Sequence, residues 1–425
     1  MRFYDLEEKN TMLRLLTLFA LEGILLQFTG SINNFGNNLF ATNLGATDSQ
    51  IGLIQTIPNL VAMLLLLPLG ILSDRLKSSR TVPMITLFTM GAGYFLLAFV
   101  PFAEALRIPL FFLALAFTVG STVLYNAQWQ NFFGNAVSPK EQNQVLTHRN
   151  RYMFLIGIGA PILCGVLMSH RADSSGKLQI LQIFFFLCAI IALAQAVIIS
   201  KIPVPVKDRT AEAITPSSVV GNIKQIFQSR SFLNFFITVV FFYMVWQFDW
   251  SMWYIGQVDY LHLNETQMSV YSGVFNIGQL VAVGVISRMV IRRGADYTLS
   301  FAAVGLIFCP FIMIVSSLLP TSIQAVAFTA FVTVLNATQC APGLCIVQII
   351  LKIAPKECRS MAISLYTLVI TATNCFMPYL GVRLYTALGS DYRAFVLFNI
   401  FTAVLRVLSL LLFIYRYRFL KKTAA

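Results

Sequence analysis

Long apolar segments alternate with short polar connections along the whole chain, and this alternation constrains the fold more than any other feature. A helix needs about 20 mainly apolar residues to cross a membrane. Twelve such segments can be placed, at 13–38, 50–72, 81–102, 109–133, 150–169, 179–201, 232–256, 268–291, 297–319, 322–350, 360–384 and 394–415. Because 57% of the residues are hydrophobic and only 11% are charged, a soluble domain is excluded. The sequence therefore predicts an all-α membrane protein with twelve transmembrane helices.

Positive charge is distributed unevenly between the two sides of the predicted membrane protein. Of the 30 Lys and Arg residues, 24 lie in connections on the side of the N-terminus, 5 lie on the other side, and Arg406 lies within the last segment. Loops rich in Lys and Arg remain cytoplasmic. We therefore expect a multi-pass protein of the plasma membrane, of bacterial type, with both termini cytoplasmic. The net charge of +13 needs no nucleic-acid partner, because this asymmetry explains it.

A charged turn follows the second apolar segment. Gly70, Asp74, Arg75 and Arg80 match, at the right spacing, the Gly-x-x-x-Asp-Arg-x-x-x-Arg pattern found between the second and third helices of the major facilitator superfamily. The sequence resembles that family, although Lys77 stands where the family often has Gly. The resemblance implies a cytoplasmic turn that holds the two halves of a transporter together. We expect Asp74 to cap a neighbouring helix, and Arg75 and Arg80 to pair with carboxylates or phospholipid.

Landmarks of the first half recur in the second half at a nearly constant distance. The pairs, with offsets of 214 to 217 residues, are Thr47/Asn264, Gly70/Gly284, Pro139/Pro355, Pro161/Pro378 and Gly165/Gly381. Such repetition predicts two six-helix bundles in the same orientation, as in the parallel repeats of this family. We place the bundles at 1–201 and 231–425. The segment 202–230 is expected to be a cytoplasmic linker that ends in a surface helix.

The first apolar segment has a polar half. Residues on that half of the helix include Glu22, Gln27, Thr29, Asn33, Asn34, Asn37 and Asn38. Polar side chains are costly in the bilayer unless they face a cavity or a partner. This pattern favours a face that lines a substrate path. The alternative is a face joined to neighbouring helices by amide hydrogen bonds.

Three further segments carry polar or aromatic stripes. The fourth has Tyr125 and Trp129 with Asn126 beside them, and the tenth has Asn336 with Gln339 at its edge. The seventh has Trp246, Asp249, Trp250 and Trp253, which could also form an interfacial aromatic belt. The family resemblance implies that helices one, four, seven and ten line the central path. The predicted path residues are Glu22, Gln27, Asn33, Asn34, Asn37, Asn126, Trp129, Trp246, Asp249, Trp250, Asn336 and Gln339.

Two acids, Glu22 and Asp249, lie in these stripes, and the stripes contain no Lys or Arg. A carboxyl group that alternates between a closed and a hydrated cavity can take up and release protons, so both acids are predicted to couple transport to protons. The charge pattern favours a cationic or neutral solute over an anion. Arg406, in the twelfth segment, is expected to snorkel or to pair internally.

Other functional classes lack their sequence patterns. No Gly-x-x-x-x-Gly-Lys-Ser/Thr motif is present, so transport would be driven by a gradient and not by a nucleotide. The seven cysteines have no metal-ligand spacing, and we expect neither cofactor nor metal nor catalytic residues. The sequence thus favours a monomeric secondary transporter of a small organic solute that works by alternating access with protons, drug efflux being one form. A sugar or peptide permease, a lipid-linked substrate flippase, and a non-transporting receptor or intramembrane enzyme stay open as alternatives.

Overall fold

The computed structural model describes residues 2–46, 50, 53–169, 173–206, 216–263 and 265–424. Within these ranges, eleven helices are long and apolar enough to cross a membrane. A twelfth span results if the bent pair Thr321–Leu335 and Ala337–Ile353 is counted as one. The all-α membrane fold predicted from the sequence is confirmed. The landmarks Thr47 and Asn264 and part of the linker, 207–215, lie outside the described residues.

The chain divides into two compact units. The first consists of Met1–Thr215 together with Lys356–Leu365, and the second consists of Pro216–Pro355 together with Tyr366–Ala425. One short segment from late in the chain is thus part of the first unit.

The N-terminal part of the first unit, up to Thr215, contains seven α-helices within the described ranges. They are α1 (Arg2–Asn43), α2 (Thr56–Arg75), α3 (Thr81–Phe99), α4 (Arg107–Leu115), α5 (Ser121–Ala136), α6 (Gln142–Ser169) and α7 (Ser174–Lys201). A π-helical turn, Ala116–Gly120, joins α4 and α5 into one span. Helix α1 packs against α6 and α7, and α3 packs against α5 and α7. The apolar sides of these helices are thereby buried against one another.

The second unit begins with a linker helix and continues with the later membrane spans. Its helices are α8 (Pro216–Gln228), α9 (Arg230–Phe248), α10 (Trp250–Ile255), α11 (Glu265–Arg293), α12 (Ala295–Ser317), α13 (Thr321–Leu335), α14 (Cys340–Ile353), α15 (Arg359–Ala387) and α16 (Tyr392–Ala424). Helix α15 begins within the first unit and continues in the second. Helix α16 packs on α9 and α12.

Three of the four spans predicted to line a path are interrupted. The fourth contains the π-helical turn, the seventh breaks at Asp249, and the tenth bends by 50° around Asn336. At the break in the seventh span, α15 comes so close that a Cβ atom on Gly381 would overlap the carbonyl oxygen of Phe248. Interrupted helices leave backbone polar groups free to bind ligands, and they recur at the functional sites of transporters.

One predicted boundary is wrong in a way that affects the site. The apolar segment 150–169 predicts a fifth span that begins near residue 150, whereas helix α6 begins at Gln142. Arg149, which the charge count assigned to a loop, therefore lies two turns inside a helix. It is 7% exposed.

Candidate functional site

A carboxylate is fully buried between helices of the first unit. Glu22 on α1 is 0% exposed. Its Oε2 accepts a 2.6 Å hydrogen bond from Arg149 Nε, and its Oε1 accepts bonds from Tyr125 Oη at 2.6 Å, Arg149 Nη2 at 3.2 Å and Gln195 Nε2 at 3.2 Å. Four helices supply these groups, which we call the Glu22 cluster: Glu22, Tyr125, Arg149 and Gln195. Both carboxylate oxygens accept hydrogen bonds, and among the described residues the negative charge has one cationic partner, Arg149.

Close packing positions Arg149 in this cluster. A Cβ atom built on Gly23 would lie 2.7 Å from Arg149 Cγ, so the absence of a side chain at Gly23 lets α6 approach α1. The guanidinium carbon of Arg149 lies 4.2 Å from the centre of the Trp129 ring. Trp129 in turn stacks on Phe133, with ring centres 5.0 Å apart. The guanidinium group is thus held by an ion pair and by a cation–π contact.

Some of the remaining polar residues of α1 are buried in hydrogen bonds, and others are half-buried or exposed. Asn33 donates to Tyr94 Oη at 2.7 Å and accepts from Asn37 at 3.4 Å, and both amides are buried. Gln27 is half-buried and donates to Ser31. Asn34 is exposed. Helix-joining hydrogen bonds, the alternative to a cavity, therefore account for part of this polar face.

A second buried ion pair lies in the second unit, and we call it the Asp249 pair. Arg406 Nη2 on α16 donates to Asp249 Oδ2 at 2.7 Å, and Arg406 Nη1 donates to the carbonyl oxygen of Leu306 at 2.5 Å. The two charged side chains are 10% and 8% exposed. The pair sits where α9 ends and α10 begins. Of the two roles considered for Arg406, internal pairing is confirmed.

The other predicted path residues occupy different surroundings. Trp246 is half-buried and lines a small cleft with Arg406, whereas Trp250 is 60% exposed. Asn336 is buried at the bend of the tenth span, and Gln339 accepts a long bond, 3.5 Å, from Gln279. Within the first unit, Asn126 is exposed and Trp129 is buried.

Each of the two acids has an arginine partner that lies outside the polar stripes. Arg149 pairs with Glu22, and Arg406 pairs with Asp249. Each pair is neutral as a whole, so the argument against anionic solutes loses its basis. Sequence reasoning missed the role of Arg149, because that residue lies outside the polar stripes, and it did not identify the partner of Arg406.

The charged turn makes a contact within the first unit. Asp74 Oδ1 accepts from the amide of Ser360 at 2.8 Å, and Oδ2 accepts from the amide of Met361 at 2.7 Å. Asp74 thus caps the start of α15, as the sequence predicts, and its charge lies at the positive end of the helix dipole. Arg80 donates to the carbonyl oxygen of Ser200 at 2.7 Å.

Two further residues strengthen this contact. Gln128 accepts from Ser360 Oγ at 2.6 Å and donates to Ser364 Oγ at 2.8 Å. A Cβ atom on Gly70 would lie 2.6 Å from Ser364 Cβ, which explains why this position of the motif holds glycine. Sequence reasoning missed Gln128, whose only signal was an amide inside an apolar segment.

Comparison with known proteins supports the family resemblance. The model of the Major Facilitator Superfamily matches residues 19–342. No curated protein sequence matches the chain significantly.

Several solved structures share the fold. A crystal structure of a bacterial homologue of the iron transporter ferroportin, in an outward-facing state, has a TM-score of 0.74 at 13% identity and covers 95% of this chain and 99% of that chain. The fucose:proton symporter of E. coli has a TM-score of 0.72 at 13% identity, and the match covers 94% of this chain and 98% of that chain. The proton:xylose symporter bound to 6-bromo-6-deoxy-D-glucose has a TM-score of 0.70 at 12% identity, and the match covers 95% of each chain. The chain therefore belongs to the major facilitator superfamily and is a multi-pass membrane transporter rather than an enzyme.

Proposed function

We propose that this protein is a proton-coupled secondary transporter of a small organic solute, working by alternating access, with Glu22 as the group that binds the proton. The observation that carries the proposal is the Glu22 cluster. A fully buried carboxylate on a membrane helix is balanced there by the guanidinium group of Arg149. Ionisable residues inside membrane spans are typical of proton and substrate pathways.

The geometry suggests how a proton and a solute would be linked. Protonation of Glu22 removes the negative charge that balances Arg149. A buried guanidinium group without a counter-charge costs about 3–5 kcal/mol. Arg149 avoids that cost if it moves to a new acceptor, such as a carbonyl, hydroxyl or carboxylate oxygen of a solute. Proton binding and solute binding would then favour each other.

The architecture is compatible with this coupling. The fucose and xylose symporters that share the fold are proton symporters. Their likeness at 12–13% identity concerns the fold alone. Both ion pairs argue for testing anions as well as cations and neutral solutes.

Transport by the purified protein in proteoliposomes tests the proposal. Matched cationic, neutral and anionic solutes would be offered with an imposed pH gradient, without one, and with a protonophore. We expect one class to accumulate only while the gradient lasts. Vesicles loaded with solute test movement in the efflux direction. Accumulation that is insensitive to both gradient and protonophore would contradict proton coupling.

A further inference from the structure

A cleft in the second unit lies apart from the Asp249 pair, where α11 ends and α12 begins. It holds about 780 Å³ of unoccupied space, part of it open to the surroundings. Its lining combines three arginines with apolar and aromatic side chains. The lining residues are Val285, Arg288, Met289, Arg292, Arg293, Tyr297 and Phe301.

The positive charge of this arginine cleft is uncompensated within the described part of the chain. Arg288, Arg292 and Arg293 are exposed, and none of them forms a salt bridge with a described residue. Arg293 donates to Tyr297 Oη, and its guanidinium carbon lies 4.8 Å from the centre of that ring. Asp296 is the acid closest in sequence. It is already engaged by Arg416, whose Nε lies 3.0 Å from Asp296 Oδ1.

The arginine cleft is polar at one end and apolar further in. The membrane span of α11 ends at Arg293, and that of α12 begins at Ala295. Val285 precedes Arg293 by eight residues, so it lies about 12 Å deeper at the helical rise of about 1.5 Å per residue. Phe301 follows Ala295 by six residues and lies about 9 Å deeper by the same measure. Val285 and Phe301 are 54% and 45% exposed, so their apolar surfaces are available for contact.

A tight turn keeps the two walls of the cleft together. Gly294, the residue between the two helices, has a φ of 83°, a conformation that other residues rarely adopt. The turn brings Tyr297 beside Arg293 and leaves the remaining arginines directed to the same opening.

We propose that the arginine cleft binds an anionic phospholipid. The phosphate would be held by the guanidinium groups, which match phosphate oxygens in pairs. One acyl chain would lie along Val285, Met289 and Phe301. Free phosphate would satisfy the arginines but would leave the deeper apolar wall uncovered, so the order of charge and apolar surface favours a lipid.

Lipid retention by the full-length protein in detergent tests this. Native mass spectrometry and the apparent melting temperature would be recorded with phosphatidylglycerol, with phosphatidylcholine of the same chains, with inorganic phosphate and with glycerophosphoglycerol, which lacks acyl chains. We expect retention and stabilisation only with phosphatidylglycerol. Each arginine near the headgroup contributes about fivefold to affinity, so Arg288→Gln/Arg292→Gln should weaken retention about 25-fold.

The matched control removes two charges elsewhere. Lys140 and Arg151 are exposed and do not line the arginine cleft, so Lys140→Gln/Arg151→Gln should leave retention unchanged. An equal loss in both double variants would show diffuse attraction instead of a site. Equal stabilisation by inorganic phosphate would overturn the lipid assignment, and equal retention of phosphatidylcholine would overturn the role of the arginines.

Discussion

Arg149 donates a 2.6 Å hydrogen bond from Nε to Oε2 of Glu22, across 127 positions of sequence. Both side chains are buried, at 8% and 0% exposure. Each charge is therefore tolerated because the other is present. This dependence makes the pair suitable as a two-state element, since a proton on Glu22 changes what Arg149 requires.

Removing one member of the pair should destabilise the protein strongly. Arg149→Met leaves the Glu22 carboxylate without a counter-charge, and the expected loss is about 3–5 kcal/mol. Adding Glu22→Gln removes the uncompensated charge and should restore much of the loss. Apparent melting temperatures of the two single variants and the double variant in detergent measure this coupling.

An exposed pair provides the control. Arg107 and Glu104 lie 3.7 Å apart, with side chains 38% and 88% exposed, so Arg107→Met should have little effect. Melting-temperature losses that simply add in the Glu22/Arg149 double variant would show that the two buried charges do not depend on each other.

Charge at the Asp249 pair should set the preference between ligands. Asp249→Asn frees the Arg406 guanidinium group, and we expect binding of an anionic ligand to strengthen at least about tenfold relative to its cationic analogue, because charge interactions are strong in buried surroundings. Arg406→Gln should produce the opposite shift. Tryptophan fluorescence titration with matched ligands is suitable because Trp246 lines the same cleft as Arg406.

The experiment also distinguishes whether Asp249 acts on the ligand directly or through Arg406. If Asp249→Asn weakens cation binding and leaves anion binding unchanged, Asp249 contacts a cation directly and does not act through Arg406. Trp246→Phe tests whether the fluorescence signal arises at this cleft.

The contact of Asp74 with the start of α15 should control access to a native cysteine. Cys358 immediately precedes α15 and is 1% exposed. Asp74→Ala removes a helix cap, a change that costs about 0.5–2 kcal/mol. Alkylation of Cys358, followed by mass spectrometry, should therefore become about 2- to 30-fold faster.

A second capping acid gives the matched control. Asp391 Oδ1 accepts from the amide of Ala394 at 2.7 Å at the start of α16. Asp391→Ala removes a similar cap and should not change the alkylation of Cys358. An equal acceleration in both variants would indicate general loosening of the fold.

The distribution of Lys and Arg predicts cytoplasmic termini. With native cysteines replaced, Lys77→Cys in the loop after α2 should react with an impermeant maleimide only after cells are permeabilised. Glu104→Cys, after α3, should react in intact cells. Both original side chains are exposed, so labelling reports the side of the membrane and not burial. Labelling of Lys77→Cys from outside would reverse the orientation.

Local patterns account for what the sequence predicted correctly. Apolar length identifies the spans, and the spacing around Asp74 predicts a helix cap, because both depend on neighbouring residues. The partner of that cap was not predictable from the motif alone, since Ser360 lies 286 positions away.

The two ion pairs and the helix breaks could not be predicted from the sequence, because they depend on contacts between distant residues. Arg149 precedes the apolar run of its helix and resembles a loop charge until its contact with Glu22 is known. Arg406 is 157 positions from Asp249, and no local pattern joins them. The breaks at Asp249 and Asn336 lie in segments whose composition continues a helix, so no local pattern predicts them. The close approach of Gly381 to Phe248 at the first break is likewise a tertiary contact that the local sequence does not show.

Separating accumulation from exchange in Glu22→Gln proteoliposomes tests the central claim most directly. The variant keeps the size of the side chain and is neutral, like the protonated acid, but it cannot release a proton, and its amide nitrogen replaces one acceptor oxygen by a donor. We predict that it exchanges labelled for unlabelled solute, yet no longer accumulates solute under a pH gradient, while Glu104→Gln behaves like the unmodified protein. Gradient-driven accumulation by Glu22→Gln with an unchanged pH response would contradict the assignment of Glu22 as the proton-binding group.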